Sequence, residues 1–192
     1  MKSVCVFCGS NPGSRSEFTA AARDTGAALG QRKLNLVYGG GHRGMMGTVA
    51  DATLDAGGRV HGVITEFLRD KELMHKRIQV CDVVRDMAVR KDRMAELSDA
   101  FFILPGGVGT LEELFDMWSR NQLAGFPDAA IKPIGILNVA GFFTPLLEMI
   151  ESMVQGGYVP RAQTATILVD TEIHPLLDQL AAFKPTNTSK WF

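Results

Sequence analysis

The 192-residue chain carries no excess of charge of either sign: 20 Lys and Arg against 21 Asp and Glu leave a net charge of −1. That argues against a nucleic-acid binder, which usually shows a basic patch. No apolar run approaches the roughly 20 residues that span a bilayer. Met1-Lys2-Ser3 leads into a short apolar run with no small-residue cleavage site, so a signal peptide is not expected and a cytoplasmic location is. Cysteine is scarce, with three residues, of which Cys5 and Cys8 form a C-x-x-C. Redox pairs of that spacing sit at a helix N-terminus. These two lie in an apparent strand, where residues three apart face opposite sides, so plain buried thiols are expected.

Other absences narrow the chemistry. The four histidines, His42, His61, His75 and His174, have no paired-ligand spacing, and no metal is expected. There is no G-x-S-x-G elbow for a hydrolase serine. Met45 stands where a phosphate-binding P-loop needs lysine.

What remains has an ordinary globular balance, 46% hydrophobic and 21% charged. Short apolar runs at 4–8, 34–38, 59–64, 78–84, 100–104, 134–137 and 166–169 read as strands. They alternate with helical patterns at 18–29, 45–56, 87–97, 111–123, 143–155 and 174–182. The polar stretch 69–77 takes no assignment. Such alternation predicts an α/β fold: a Rossmann-like, doubly wound parallel sheet with helices on both faces. Residues 1–183 are expected to form a single nucleotide-binding domain, with 184–192 a loosely held tail. Ligands of such sheets bind beyond the carboxyl ends of the strands, where loops 9–14, 39–47 and 105–110 fall.

Two of those loops are rich in glycine. Gly39, Gly41 and Gly44 satisfy G-x-G-x-x-G between a strand and a helix, and Glu66 lies 66 − 44 = 22 positions further on. This fits a dinucleotide fingerprint with Glu66 on a ribose hydroxyl; it fits equally a tight turn that needs glycine for its conformation alone. The segment Pro105-Gly106-Gly107-Val108-Gly109-Thr110-Leu111-Glu112-Glu113 joins a buried strand to a helix start. A glycine-rich turn with free helical N–H groups suits a phosphate, and the acidic pair suggests a carboxylate aimed beside it, at a ribose. The charged run from Arg85 to Arg93 reads either as a solvated helix face or, leading into the same strand, as a source of phosphate partners.

The second segment carries the P-G-G-x-G-T-x-x-E pattern of the LOG (Lonely Guy) family, cytokinin riboside 5′-monophosphate phosphoribohydrolases long mislabelled as lysine decarboxylases, and the chain resembles that family from about Val4 to Tyr158. Further landmarks follow in order: Val6-Phe7-Cys8-Gly9-Ser10, Val37-Tyr38-Gly39-Gly40-Gly41, Gly44-Met45-Met46-Gly47 and Lys132-Pro133-Ile134-Gly135. The resemblance implies Arg90, in Met87-Ala88-Val89-Arg90-Lys91, and Glu113 as the catalytic pair. It implies substrate contacts at Met87, Lys91, Gly107, Val108, Gly109, Thr110, Leu111 and Glu112, with Glu72, Ser119, Gly40 and Gly41 as further candidates. It also implies a nucleoside 5′-monophosphate substrate, no cofactor, and a homodimer with its site near the subunit interface. The family usually has a histidine and a polar residue where this chain has Ala88 and Val89, which bears on base preference. The rival readings are an NAD(P)-binding oxidoreductase, a non-catalytic nucleotide-binding module and a pyridoxal-dependent lysine decarboxylase; the last needs a Schiff-base lysine that is not identifiable.

Overall fold

Every apolar run expected to be a strand joins one parallel sheet in the computed structural model, which describes residues 1–71, 73–123 and 131–185. The strands are β1 (Ser3–Phe7), β2 (Asn35–Tyr38), β3 (Val60–Thr65), β4 (Val80–Val84), β5 (Ala100–Ile103), β6 (Ile134–Leu137) and β7 (Ile167–Asp170). The helices are α1 (Ser16–Gln31), α2 (Gly44–Asp55), α3 (Glu66–Asp70), α4 (Met87–Glu96), α5 (Val108–Leu123), α6 (Thr144–Gln155) and α7 (Ile173–Ala182). Sheet order is β4-β3-β2-β1-β5-β6-β7.

The strands alternate sides at period two, and this sorts the core into two layers. Val4, Val6 and Cys8 pack with Phe18, Leu29, Val49 and Leu177, under α1, α2 and α7. Cys5 and Phe7 pack with Met94, Leu114, Met117 and Ile150, under α4, α5 and α6. Cys5 and Cys8 therefore lie on opposite sides of the sheet, as strand geometry requires, and all three cysteines are free. Both faces of the central strands are covered, which is why they are apolar throughout.

The strand order reverses at β1. It pairs β2 on one side (Val4 opposite Leu36) and β5 on the other (Val4 opposite Ala100). The crevice beyond the carboxyl ends of β1 and β5 is thus the expected ligand position, and there the Gly9 amide donates to the Pro105 carbonyl at 3.0 Å, stitching the two loops together.

Several elements differ from the sequence expectation. The strand expected at 78–84 begins at Val80, and α5 begins at Val108 rather than 111. Of the unassigned stretch 69–77, residues 69 and 70 end the short α3, and 73–75 fold back as a strap. It bridges Met74 to Gly41, the Leu73 carbonyl accepts from the His42 amide at 3.0 Å, and the Gly40 carbonyl accepts from the His75 amide at 2.9 Å. Its ladder partners are a loop rather than a strand, so no periodicity announces it. Of the expected tail, residues 186–192 lie outside the described residues.

Candidate active site

A cavity of about 430 Å³ opens beyond the carboxyl ends of β1, β2 and β3 and under the start of α5. This is within the size range of small-molecule sites. One wall is Gly107 and the first turn of α5 that follows it, to Thr110. Gly107 and Gly109 have open space where a Cβ would stand, so a ligand can reach the backbone there. Thr110 is turned inward and buried. The opposite wall is apolar, made by Met46, Ile64, Leu68, Leu73 and Met87. Cys8, Gly9 and Ser10 close the end nearest β1.

Charge is concentrated at the floor. Asp86 caps α4 by accepting from the Val89 amide at 2.9 Å, and one turn later Arg90 points inward, only 6% exposed. Its Nε donates to the Val63 carbonyl at 2.9 Å, and its Nη1 donates to Glu113 Oε1 at 3.2 Å. Glu113 is 8% exposed. Burial pushes its carboxyl up to about 7; Arg90 opposes that rise and neighbouring Glu112 adds to it. A buried carboxyl titrating near neutrality beside a fixed cation is characteristic of catalytic groups.

The two glutamates of the motif separate on the helix. Glu113 faces the floor and the α5 core, whereas Glu112 is exposed at the rim, where its carboxylate is paired with Lys91. Lys91 also pairs with Asp116 at 2.9 Å. Burial would lower the Lys91 ammonium, but Glu112 and Asp116 more than reverse that and hold it above the usual lysine range.

Of the residues expected at the site, Met87, Arg90, Gly107, Val108, Gly109, Thr110, Glu112, Glu113 and Gly41 line the cavity. Others do not. Lys91 is drawn to the outer flank of α5 by its two carboxylates. Leu111 packs into the core between α5 and the sheet. Ser119 is exposed two helical turns beyond Glu112, outside the cavity wall. Gly40 is turned into the chain, against Ile64 and Cys81. Glu72 lies outside the described residues. Ala88 and Val89 contribute nothing to the cavity wall.

The dinucleotide fingerprint does not assemble in the fold. Glu66 is the first residue of α3, exposed and outside the cavity. Gly44 adopts φ +58°, and a Cβ there would stand 2.2 Å from the Ser10 carbonyl oxygen, so it serves loop packing rather than a pyrophosphate. Of the apolar wall residues, Met46 and Ile64 also fit a core pattern in the sequence, whereas Leu68 and Leu73 fall where no element is expected. Among the described residues, no group of acidic, histidine and cysteine side chains could hold a metal. No described helix is long and apolar enough to cross a membrane.

Comparison with known proteins bears directly on this geometry. A family model described as "Possible lysine decarboxylase" matches residues 46–180. The cytokinin riboside 5′-monophosphate phosphoribohydrolase LOG5 of Arabidopsis thaliana is 44% identical over 97% of this chain and 80% of its own length. A probable cytokinin riboside 5′-monophosphate phosphoribohydrolase, LOG4 of Oryza sativa subsp. japonica, is 41% identical over 94% of this chain and 76% of its own. Among solved structures, the molybdenum cofactor carrier protein of Chlamydomonas reinhardtii superposes with a TM-score of 0.72 at 17% identity, covering 95% of this chain and 99% of that one. The molybdenum cofactor binding protein of Rippkaea orientalis gives 0.70 at 15%, over 95% and 97%. At such identities these two speak for the fold alone.

Proposed function

Because the chain belongs to the LOG family of cytokinin riboside 5′-monophosphate phosphoribohydrolases, we propose that its cleft hydrolyses the N-glycosidic bond of cytokinin riboside 5′-monophosphates, AMP or both, releasing free base and ribose 5-phosphate. The observation that carries this reading is the buried Arg90–Glu113 pair beneath the open first turn of α5.

The arrangement divides the work. The backbone N–H groups at the start of α5 take the 5′-phosphate, where the helix dipole favours negative charge. The phosphate lies remote from the bond that breaks, so its binding energy positions the sugar. Breaking the bond builds positive charge at the anomeric carbon, as in glycosidase chemistry. The Glu113 carboxylate stabilises that charge and accepts a proton from the attacking water; the bonding electron pair leaves with the base, whose freed nitrogen takes up a proton from solvent as Glu113 gives its own back. Arg90 is a poor proton donor, because a guanidinium stays charged. Its Nε is already committed to Val63 and its Nη1 to Glu113, which supports an orienting role. The apolar wall of Met46, Ile64, Leu68 and Leu73 supports a base that carries an apolar substituent.

Exposed apolar groups at the cleft mouth, Val108 and Met87, and on the edge strand, Val80 and Val83, support a homodimer with the site near its interface. Free cysteines support a reducing compartment such as the cytoplasm.

The test measures base release from AMP, from an N6-prenylated adenosine 5′-monophosphate and from the matching unphosphorylated riboside. Release from the monophosphates and not from the riboside is expected. Equal turnover of the riboside would overturn the phosphate-anchored mechanism.

A further inference from the structure

The geometry points to Gly39 as a positioning residue, one whose missing side chain is the seat of the Arg90 guanidinium. This deepens the reading above and rests on it for its kinetic consequences. Gly39 directly follows β2, which ends at Tyr38, and lines the cleft. Its backbone is not among the left-handed glycines of the chain, so its φ is one that any L-residue can adopt. Conformation therefore does not require glycine here. Space does. A Cβ at this position would stand 2.0 Å from Arg90 Nη2 and 3.3 Å from its Cζ, with Met46 Sδ at 3.1 Å. The three nearest atoms all belong to side chains; none is backbone.

The guanidinium is thus held on three sides. Nε is tied to the Val63 carbonyl at 2.9 Å, Nη1 to Glu113 at 3.2 Å, and Nη2 rests over the Gly39 α-carbon. An added methyl moves the end of Arg90 rather than the main chain, and the movement takes Nη1 off Glu113. Misplacing a catalytic group by about 1 Å can cost on the order of 100-fold in rate.

Gly39→Ala is expected to fold and to bind nucleotide with KM changed less than about threefold, while kcat falls on the order of 100-fold. The pH profile separates positioning from a general loss of order. Groups facing Glu113 are Arg90 and Lys91 from α4, Glu112 from its own helix, and the buried thiols of Cys5 in β1 and Cys8 just after it. Of these only Arg90 touches Gly39. Displacing it removes the nearest cation, so the acidic limb of kcat/KM is expected to move to higher pH by about one unit. Wild-type kcat and an unshifted limb would overturn the assignment.

A double-mutant cycle with Arg90→Ala reads the contact without any turnover. Gly39→Ala is expected to lower the thermal midpoint of the wild type and to leave that of the Arg90→Ala protein unchanged. Equal losses in both backgrounds would show that Gly39 serves something other than Arg90. If Gly39→Ala alone fails to fold, the double variant is expected to fold, because the obstructing group is gone; failure of both overturns the proposal. Loss of the nucleotide-hydrolase reading would leave this thermal result standing, so the two are distinguishable.

Discussion

Arg90 Nη1 and Glu113 Oε1 lie 3.2 Å apart although 23 positions separate the residues along the chain. One side chain comes from the first turn of α4 and the other from the second turn of α5, and the strand between them, β5, sets the distance. Both are nearly excluded from water. Their pairing turns two residues of common type into a site with a defined polarity: cation beneath, carboxyl above, the open first turn of α5 alongside.

Replacing Glu113 by Gln keeps the shape and removes the carboxylate. General acid–base assistance contributes roughly 10²–10⁴-fold in rate, so base release from the nucleotide should fall by about that factor. Binding should survive, since the backbone at the start of α5, the phosphate site proposed above, is left untouched. Calorimetric titration with AMP alongside a base-release assay checks both; hydrolysis at the normal rate would remove Glu113 from the mechanism.

The same carboxyl has a signature in stability. Its folded pKa, about 7, is above the 4.5 of an unperturbed glutamate. Between those values the folded protein binds the proton and the unfolded chain has lost it. Glu113's contribution is therefore complete below pH 4.5 and is lost as pH rises through 7. The span corresponds to about 3 kcal/mol. Denaturant titrations at pH 5 and pH 8 should show a steeper decline for the wild type than for Glu113→Gln. Equal pH dependence would mean that the carboxyl is not buried as described.

Asp86 holds the start of the helix that delivers Arg90. Asp86→Ala removes the acceptor for the Val89 amide and should cost about 1 kcal/mol of stability. Urea unfolding measures it. The site should be impaired only modestly, because Val63 and Glu113 still hold the guanidinium.

The C-x-x-C should be chemically silent. Burial raises the Cys5 and Cys8 thiols well above the ordinary range, with Glu113 adding to the rise. Thiolate is the reactive form, so a thiol-specific reagent at pH 8 should leave both unmodified in the native protein and label them after denaturation. An intramolecular disulfide between them under mild oxidation would contradict their placement on opposite faces of the sheet.

Much of this was legible in one dimension, for stated reasons. Parallel strands covered on both sides must be apolar along their whole length, so β1, β5 and β6 stand out as runs. The glycine segment ending in Glu112-Glu113 announces a strand, a tight turn and a helix start. The strap at 73–75 was not legible, because it pairs with a loop and carries no period. Lys91 and Leu111 sit beside true cavity residues in sequence, yet a helix turns adjacent positions about 100° apart. One therefore pairs on the flank and the other enters the core. Glu66 has suitable spacing for a ribose contact but is spent as the exposed first residue of α3.

The chain's own pattern determined the layer architecture, the three loops that fall beyond the carboxyl ends of the strands, and the glycine segment whose chemistry suits an anion, because these follow from local period and turn chemistry. Only the tertiary structure decided which charges meet and what each glycine is for. Charge pairing depends on how α4 and α5 pack across a strand. A glycine reads the same in sequence whether it bends the chain at 44, exposes its backbone to a ligand at 107, or leaves room for an arginine at 39.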